Sequence, residues 1–424
     1  MKELIQKLRK QARLMRYGYF ITRYGYSPYV FACRNKVPFF ASSVGSRGTR
    51  YNLVIPSLEE NKMYGGILTA IDFFSELVDR GFDARIIVQE EVSEAARTKF
   101  SGWTWMESSS DESAARILTS THSSGEAPSA LAVRENDIFI TTTWLTHFTM
   151  ADVCQFQQKQ FDVTHPLVYF IQDFEPGFFE WSAQYMLAES TYHTPGTIAI
   201  FNSVQLHSYF TRLGYSFAYE THFSPRLNKE MAEWRRTHQG AGTVRRNQIV
   251  FYGRPARPRN CFPLIIEAIN LFIAKYPDVA KRWDFISIGA SLGSFKLRDG
   301  RRLHSRGKMS LADYAGLLSQ TKVGISLMCS PHPSYPPLEM ASFGLVTITN
   351  QFVDKDLQSF SPNIISLETL TLETLCEAMY EATRRADRGR GETPAMDSFL
   401  LPNDQFSSII DFIVGIVDQE MEAK

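Results

Sequence analysis

The feature that most constrains the fold is an alternation of short apolar runs with longer amphipathic segments, which begins near residue 51. The pattern indicates a buried strand at Tyr51–Pro56 (YNLVIP), a helix at Ile67–Arg80 that ends at Gly81, and a second strand at Ala84–Val88 (ARIIV). A strand, a helix and a strand in this order form a βαβ unit of a parallel sheet. The chain is therefore predicted to have an α/β fold.

The first half of the chain continues this pattern. Further strands are predicted at Asp137–Thr143, Leu167–Gln172 and Thr197–Phe201, which gives a doubly wound sheet. Residues 108–130 are instead rich in Ser, Thr, Gly and Glu and show no sustained period. We expect them to form a surface excursion.

A polar stretch at residues 225–247 predicts an interdomain linker, after which the alternation starts again. The predicted strands of this second half are Gln248–Tyr252, Trp283–Ile288, Val323–Met328 and Leu345–Asn350. We expect two Rossmann-like domains that face each other across a cleft, at 51–240 and 246–400, with an N-terminal extension at 1–50 and a last segment at 401–424. A helix at Asp404–Asp418 in that last segment carries an apolar stripe long enough to cross back to the first domain.

Composition excludes several function classes. The 424 residues have a formal net charge of zero, so the chain lacks the basic field that nucleic-acid binding usually requires. The five cysteines have neither CxxC nor metal-ligand spacing, which is typical of a reducing compartment. No apolar run approaches the roughly 20 residues of a spanning helix, and the first residues lack the apolar stretch of a signal peptide. We therefore expect a cytoplasmic protein that does not bind nucleic acid.

Residues 1–24 break the charge balance, because they contain seven Lys and Arg residues and only one acid, Glu3. An apolar stripe at helical spacing runs beside these cations. One interpretation is a helix that packs on its own domain. The other is a peripheral contact with anionic membrane lipid or with a lipid-linked acceptor, at the inner face of the membrane.

In an open parallel sheet, ligands bind beyond the carboxyl ends of the strands. Gly253 and Arg254 stand at the end of a predicted strand, and Arg259 follows before the next helix. Glycine allows the backbone to approach a ligand, and guanidinium groups bind phosphate oxygens in pairs. This segment is a candidate diphosphate site, and the alternative is a solvated basic turn.

A second loop of the same half carries Lys308 and Met309 directly before Ser310. The sequence from Ser310 to Asp313 is typical of a helix start, with Ser310 as the N-cap. Lys308 would add a second cation for phosphate, and the backbone near Met309 could meet the edge of a nucleobase. The alternative is a helix cap without a ligand.

The third loop is stiffened by prolines and leads into a helix predicted at Pro337–Phe343. Free N–H groups at a helix N-terminus favour anions, and Glu339 in the first turn is placed to accept hydrogen bonds from sugar hydroxyls. Alternatively, Glu339 only complements the helix dipole. The donor-binding candidates of this loop are Ser334, Tyr335, Pro336, Leu338 and Glu339.

Residues of the first domain are predicted to face these loops. Gly65 and Gly66 precede a helix and allow a close approach to donor phosphates or to an acceptor. Aromatic faces suit the C–H surfaces of sugars, and carboxylates suit pairs of hydroxyl groups. The candidates with this chemistry at strand ends are Trp144, His147, Asp173 and Glu175. The alternatives are a surface or core histidine at His147 and a structural cap at Asp173 or Glu175.

The third loop resembles the signature of retaining GT-B glycosyltransferases of family 4, in which a Glu in a turn of the LEMxxxG type holds the ribose of the nucleoside. Glu339 stands at that position. Gly253, Arg254 and Arg259 resemble the Gly-Arg and downstream Lys with which the family binds the donor diphosphate, and the glycine pair of the first domain matches its glycine loop. The resemblance runs from about residue 51 to the end of the chain and implies the GT-B fold.

Segments such as YFIQDFEPGFFEW and GISLMCSPHPSYPPLEMASFG are similar to rhamnosyltransferases that build bacterial surface glycans from dTDP-L-rhamnose. This resemblance implies transfer of L-rhamnose to a growing glycan with retention, the leaving phosphate itself accepting the proton of the acceptor. One position departs from the family, because Pro331 stands where a second Glu usually engages the donor sugar. An atypical donor such as a 6-deoxy-L-sugar fits this departure.

The predicted catalytic residues are Asp173, which orients the acceptor or stabilises charge, and Arg254 and Lys308, which bind the leaving group together with Arg259. No Asp-x-Asp motif lies in a suitable loop, so we expect neither a metal nor another cofactor. The expected partners are a nucleotide-sugar donor and a glycan acceptor. Three alternatives remain open, namely a UDP- or GDP-sugar donor, a GT-B-like sugar-nucleotide epimerase, and a non-catalytic glycan- or nucleotide-binding module.

Overall fold

The computed structural model describes residues 38–42, 48–59, 65–111, 117–120, 130–238, 244–293, 295–389, 399 and 406–422. The basic stripe at residues 1–24 lies outside these ranges. Among the described residues, no helix combines the length and the apolar character needed to cross a membrane.

The first half of the chain folds around a parallel sheet. The described strands are β1 (Phe39–Ala41), β2 (Arg50–Ile55), β3 (Asp83–Val88), β4 (Thr104–Glu107), β5 (Ile117–Ser120), β6 (Leu131–Val133), β7 (Asp137–Thr141), β8 (Leu167–Ile171), β9 (Thr197–Phe201) and β10 (Tyr219–His222). Eight of these described strands form one sheet in the order β10-β9-β8-β7-β2-β3-β5-β4, with every pair parallel. The central strands β2, β7, β8 and β9 are buried along their whole length, as their apolar runs predict.

Two short strands correct the sequence-based prediction. β1 lies within residues 1–50, yet it pairs in parallel with β6 of the first half, and the ring of Phe39 packs 4.8 Å from that of Phe156. β5 lies within the predicted surface excursion, yet it is inserted between β3 and β4. Three or four residues are too few to show a period in the sequence, so only pairing with a neighbour reveals such strands.

Helices cover both faces of this sheet. The described helices are α1 (Gly65–Asp79), α2 (Glu94–Lys99), α3 (Trp144–Phe161), α4 (Ala183–Ser190), α5 (Val204–Arg212) and α6 (Lys229–His238). α1 buries Phe73, Phe74 and Leu77 at helical spacing. The chain turns after α1 at Gly81, whose φ of 90° favours glycine and confirms the predicted stop.

The second half forms a sheet of the same kind. Its described strands are β11 (Arg246–Gly253), β12 (Asp284–Gly289), β13 (Phe295–Lys296), β14 (Arg302–Ser305), β15 (Thr321–Ile325), β16 (Val346–Asn350) and β17 (Ile364–Leu367), in the order β13-β14-β12-β11-β15-β16-β17. The described helices are α7 (Phe262–Lys275), α8 (Pro277–Ala280), α9 (Leu311–Gln320), α10 (Tyr335–Ser342) and α11 (Leu372–Asp387). All described pairs are parallel except β13 with β14, which confirms two Rossmann-like sheets.

The C-terminal helix α12 (Ser407–Glu422) crosses back to the first half, as its apolar stripe predicts. Ile410 and Ile413 are fully buried in the core that also contains Phe73 of α1. Arg80 donates to the carboxylate of Asp411 at 2.6 Å. The helix therefore completes the hydrophobic core of the first sheet.

A buried polar cluster, which the sequence did not reveal, fixes the amino end of the first sheet. Oδ1 of Asp137 accepts hydrogen bonds from Nε of Arg50 (2.6 Å) and Nδ2 of Asn52 (3.0 Å), and Oδ2 accepts from the backbone N–H of Arg134 (2.8 Å). Burial acts to raise the pKa of Asp137, but the charge and hydrogen bonds of Arg50 hold it below its usual value. The opposite, carboxyl end of the sheet is left for ligands.

We expect Ile413→Ala to destabilise the first domain, because it opens a cavity between α12 and the sheet. Deletion of a buried aliphatic side chain costs about 2–5 kcal/mol. Denaturant unfolding of the parent and the variant measures the loss. Ser408→Ala, at an exposed position of the same helix, serves as the matched control and should unfold like the parent. Equal midpoints for Ile413→Ala and the parent would contradict the packing of α12 on this core.

Candidate functional site

The carboxyl ends of the two sheets meet at Asp173, which follows β8. Its Oδ1 accepts hydrogen bonds from the backbone N–H of Phe174 (2.9 Å) and from Oγ of Ser330, which lies in the loop after β15. Its Oδ2 lies 3.9 Å from Nε of Arg259 in the second half. Only 7% of Asp173 is exposed, so these contacts form in a largely desolvated place. The carboxylate therefore joins the two halves of the chain at the edge where ligands bind in such folds.

A second contact between the halves joins two helices near their N-termini. The hydroxyl groups of Thr69 in α1 and Tyr335 in α10 lie 3.3 Å apart, and Thr69 also donates to the carbonyl oxygen of Gly65 at 2.8 Å. A Cβ atom at Gly66 would overlap with the side-chain amide of Gln172. Gly66 thus allows α1 to approach the end of β8, whereas a Cβ atom at Gly65 would lie at an ordinary contact distance of 3.7 Å from the ring of Tyr335. Two helix N-termini meet here, and each favours an anionic ligand.

Three glycines form a row across the carboxyl ends of β11, β12 and β14. Gly253 is paired with Gly289 on the neighbouring strand, and the N–H of Gly289 donates to the carbonyl of Gly307 at 2.8 Å. A Cβ atom at Gly253 would overlap with Oγ of Ser287, and one at Gly289 would lie 3.2 Å from Cγ of Arg254. The glycines therefore let the loops lie close together.

This row determines where the predicted cations lie. Arg254 directly follows Gly253 and lies against Gly289, while Lys308 directly follows Gly307. The structure thus brings Arg254 and Lys308 to one edge of the second sheet, although these two residues are 54 positions apart in the sequence. Sequence reasoning missed Gly289 because it has no distinctive neighbours; its φ of 99° is visible only in the structure.

Arg259 contacts both halves of the chain. Its guanidinium carbon lies 4.0 Å from the ring centre of Phe178 in the first half, and its Nε has no hydrogen-bond partner among the described residues. The Arg259 loop is tied to the loop after β15, because its carbonyl oxygen accepts the N–H of Cys329 at 2.8 Å and the Sγ atoms of Cys261 and Cys329 lie 3.2 Å apart. Burial lowers the pKa of Arg259, with Asp173 acting in the opposite sense.

Glu339 lies two residues further into its helix than the sequence predicts. α10 begins at Tyr335 rather than Pro337, because prolines at the second and third positions still fit a first turn that needs no N–H donors. Glu339 is therefore in the second turn. Burial raises its pKa to about 7, and the Tyr314 hydroxyl beside it acts in the opposite sense. A carboxyl group in this place titrates near neutral pH.

The other predicted residues of these loops have clear places. Ser310 caps α9 by accepting the N–H of Asp313 at 3.1 Å, which confirms the predicted cap. Met309 packs against the core of the second half, which includes the buried Leu338. Pro336 lies at the second position of α10, and Ser334 before it has a φ of 68°. A serine with this backbone conformation marks a sharp entry into the helix.

Three residues predicted on the acceptor side are instead buried within the first half. The carboxylate of Glu175 accepts the backbone N–H of Trp144, the first residue of α3, at 3.1 and 3.2 Å, and burial raises its pKa to about 8. His147 is stacked on Tyr169 with ring centres 4.3 Å apart, and burial lowers its pKa to about 3. In this conformation Trp144, His147 and Glu175 support α3 and do not present their side chains to a ligand. The structure thus favours the alternatives of a helix cap and a core histidine.

Exposed aromatic side chains lie close by, on the segment after β8, where the sequence analysis identified a family resemblance but no exposed acceptor surface. Trp181 is 91% exposed and is stacked on Tyr185 with ring centres 5.2 Å apart. Phe178, which lies under Arg259, and Met186 are also exposed. We call Phe178, Trp181, Tyr185 and Met186 the aromatic patch. Phe178, three positions before Trp181 in the chain, is the member of the patch that contacts Arg259.

We expect Glu339→Gln to change the pH dependence of stability. Because the folded pKa is raised to about 7, the folded state keeps its proton between about pH 4.3 and pH 7, where the unfolded chain has lost it. The unfolded state binds fewer protons in this window, so the stability of the parent falls as pH rises through it. The Glu339→Gln variant has no carboxyl group that titrates at this position. Its melting temperature relative to that of the parent should therefore rise from pH 5 to pH 8, by about 2–4 °C for each kcal/mol of unfolding free energy that the parent loses.

The control is Glu368→Gln, at an exposed position of the second half, whose difference from the parent should not change with pH. A constant difference for Glu339→Gln over the same range would show that Glu339 titrates like an exposed carboxyl group.

Solved structures share this architecture. A trehalose-phosphate synthase of Burkholderia vietnamiensis superposes with a TM-score of 0.57 and 10% identity over 89% of this chain and 100% of that one. WaaG, a glycosyltransferase involved in lipopolysaccharide biosynthesis, gives a TM-score of 0.54 and 12% identity over 86% and 100%. Anabaena HepE, solved in complex with UDP, gives 0.53 and 14% over 88% and 99%. These likenesses confirm the GT-B fold.

Sequence comparisons extend this result. The O-antigen biosynthesis protein RfbC of Myxococcus xanthus is 30% identical over 183 residues, which cover 43% of this chain but only 14% of RfbC. Residues 50–204 match the N-terminal domain of WsaF, and residues 247–380 match its C-terminal domain. Because both domains match in the same order and together span well over half of the residues, the chain belongs to the WsaF family.

Proposed function

We propose that the protein is a glycosyltransferase that moves L-rhamnose from dTDP-L-rhamnose to a growing surface glycan, with retention. The observation that carries this proposal is the convergence of Arg254, Arg259 and Lys308 with the N-terminus of α10, at the place where the two sheets meet. Cations and helix N-termini in a cleft are suited to a nucleoside diphosphate.

The same groups are suited to the chemical step. When the bond between sugar and diphosphate breaks, negative charge develops on the leaving phosphate, and preorganised cations stabilise that charge. Arg254 and Lys308 lie on the glycine row, where backbone can also approach the phosphates. Asp173 lies on the other side of Arg259, where its negative charge would stabilise the positive charge that develops on the sugar. The proposal includes no metal ion, since these side chains supply the charge.

The donor and the acceptor class rest on the resemblance and on the comparisons. The sequence is similar to rhamnosyltransferases that use dTDP-L-rhamnose, and the chain belongs to the WsaF family. A surface glycan as acceptor is supported by RfbC, which is named for O-antigen biosynthesis, and by WaaG, which is involved in lipopolysaccharide biosynthesis. We propose, as the resemblance implies, that Glu339 accepts a hydrogen bond from a hydroxyl group of the nucleoside.

The acceptor side of the proposal uses the aromatic patch rather than the buried Trp144, His147 and Glu175. Sugars present flat C–H faces that pack on aromatic rings, and Trp181 offers such a ring with 91% of its surface exposed. Phe178 connects the patch to Arg259 and thus to the donor side. We propose that the glycan acceptor lies along this patch.

The test of the donor is a thermal-shift panel of dTDP, UDP, GDP and ADP, in which we expect selective stabilisation by dTDP. A ligand at a hundred times its Kd stabilises the folded state by about 2.7 kcal/mol. Incubation with dTDP-L-rhamnose and a glycan acceptor should then give a glycosylated product and dTDP. Conversion of the donor without acceptor would favour the epimerase, and stabilisation by UDP or GDP alone would assign another donor.

Arg254→Ala should weaken both dTDP binding and turnover by roughly ten- to a hundredfold. This factor corresponds to the free energy of one hydrogen bond to a charged group. Arg298→Ala removes an exposed arginine that pairs with Glu267 on the surface, and serves as the matched control. Unchanged binding and turnover in Arg254→Ala would remove this residue from the site.

We expect Trp181→Ala to raise the KM for the glycan acceptor by roughly three- to tenfold, because it removes an aromatic face. Binding of dTDP should not change, and Trp181→Phe should restore most of the loss. Initial rates at varied acceptor concentration give the measurement, with Leu213→Ala as the control at another exposed apolar residue. An unchanged KM in Trp181→Ala would place the acceptor elsewhere.

A further inference from the structure

His332 is a buried polar side chain for which the proposed function has assigned no role. It lies in the loop between β15 and α10, is 7% exposed, and its ring centre is 6.0 Å from that of Tyr335. Its backbone N–H donates to Oγ of Ser330 at 3.1 Å, and Ser330 in turn donates to Asp173. The residue therefore belongs to the place where the two halves meet.

The hydrogen bonds of the ring fix its tautomer. Nδ1 accepts the backbone N–H of Ser334 at 2.9 Å, so the proton of the neutral imidazole is on Nε2. Burial lowers the pKa of His332 to about 4, which keeps the ring neutral at physiological pH. Nε2 is buried and has no hydrogen-bond acceptor among the described residues. A buried donor without an acceptor is unfavourable, and such groups frequently have a functional explanation.

The charged groups around the ring are Asp173, Lys355 and Arg259. Lys355 donates to the carbonyl oxygen of Met328 at 2.6 Å, and Asp173 accepts from Ser330 and Phe174. Nε of Arg259, like Nε2 of His332, has no hydrogen-bond partner among the described residues. Two N–H donors near one carboxylate thus lack acceptors, which a ligand with several oxygen atoms would supply.

We propose that His332 binds the sugar part of the donor, with Nε2–H donating a hydrogen bond to a hydroxyl or ring oxygen of the glycosyl group. This inference rests on the proposed function. The neutral N–H group of His332 suits a neutral oxygen atom of the sugar. The anionic diphosphate is instead matched by the cations of the glycine row. A sugar hydroxyl can also donate a hydrogen bond of its own, and the nearby carboxylate of Asp173 can accept it.

The two nitrogens of His332 have separate tasks, which two substitutions distinguish. His332→Asn places an amide oxygen near the position of Nδ1, so it can keep the hydrogen bond from Ser334 while it removes the donor at Nε2. His332→Gln places an amide nitrogen near the position of Nε2 and loses the acceptor at Nδ1. If His332 has only a structural role in the turn, His332→Gln should weaken ligand binding more than His332→Asn. If His332 contacts the sugar, His332→Asn should weaken binding of the sugar nucleotide more.

Calorimetric titration of the parent and both variants with dTDP and with dTDP-L-rhamnose tests the proposal. We expect His332→Asn to lower the affinity for dTDP-L-rhamnose about five- to tenfold and the affinity for dTDP less than about twofold. This difference is the one expected for the loss of one neutral hydrogen bond. His332→Gln should stay within about threefold of the parent for both ligands. Melting temperatures of the free proteins report whether either variant has lost its fold.

Other outcomes overturn the proposal in distinguishable ways. An equal loss for dTDP and dTDP-L-rhamnose in His332→Asn would assign the contact to the phosphates or the turn. Unchanged binding of both ligands by His332→Asn, or a greater loss in His332→Gln, would leave only the structural role. Failure of the parent protein to bind either ligand would instead reject the proposed donor, and the role of His332 with it.

Discussion

The proposed site depends above all on one carboxylate, that of Asp173. It accepts hydrogen bonds from its own loop through Phe174 and from the opposite half through Ser330, and it lies 3.9 Å from the guanidinium of Arg259. In a largely desolvated place these charge-assisted contacts are stronger than at the surface. They orient the loop after β15 against the first sheet. The positions of His332 and of the N-terminus of α10 follow from that orientation.

Around this contact, glycines let elements within each half lie close together. Gly66 lets α1 approach the side chain of Gln172, and the row of Gly253, Gly289 and Gly307 lets three loops of the second half lie together. Backbone N–H groups and helix N-termini are consequently accessible where the cations collect. A nucleoside diphosphate needs this combination, because it carries charge on oxygen atoms that several donors must reach at once.

Buried polar groups have two different roles in this molecule. Asp137 at the amino end of the first sheet, and Glu175 at the start of α3, have their hydrogen bonds satisfied by the protein and thereby fix the scaffold. Nε2 of His332 and Nε of Arg259 are buried without hydrogen-bond partners among the described residues. We assign these two N–H groups of the proposed site to a ligand, whereas Nε2 of His147, which also has no partner among the described residues, lies in the core of the first half.

The sequence by itself determined the fold class, the two parallel sheets, the crossing C-terminal helix and the loops in which Arg254, Lys308 and Glu339 stand, because apolar periodicity and strand ends are local properties. Short strands such as β5 could not be predicted from the sequence, because four residues show no period. The structure alone decided that Trp144, His147 and Glu175 are buried, that Trp181 is exposed, and that His332 lies beside Asp173. Each of these depends on contacts between residues far apart in the chain, and such contacts have no period or spacing from which they could be predicted.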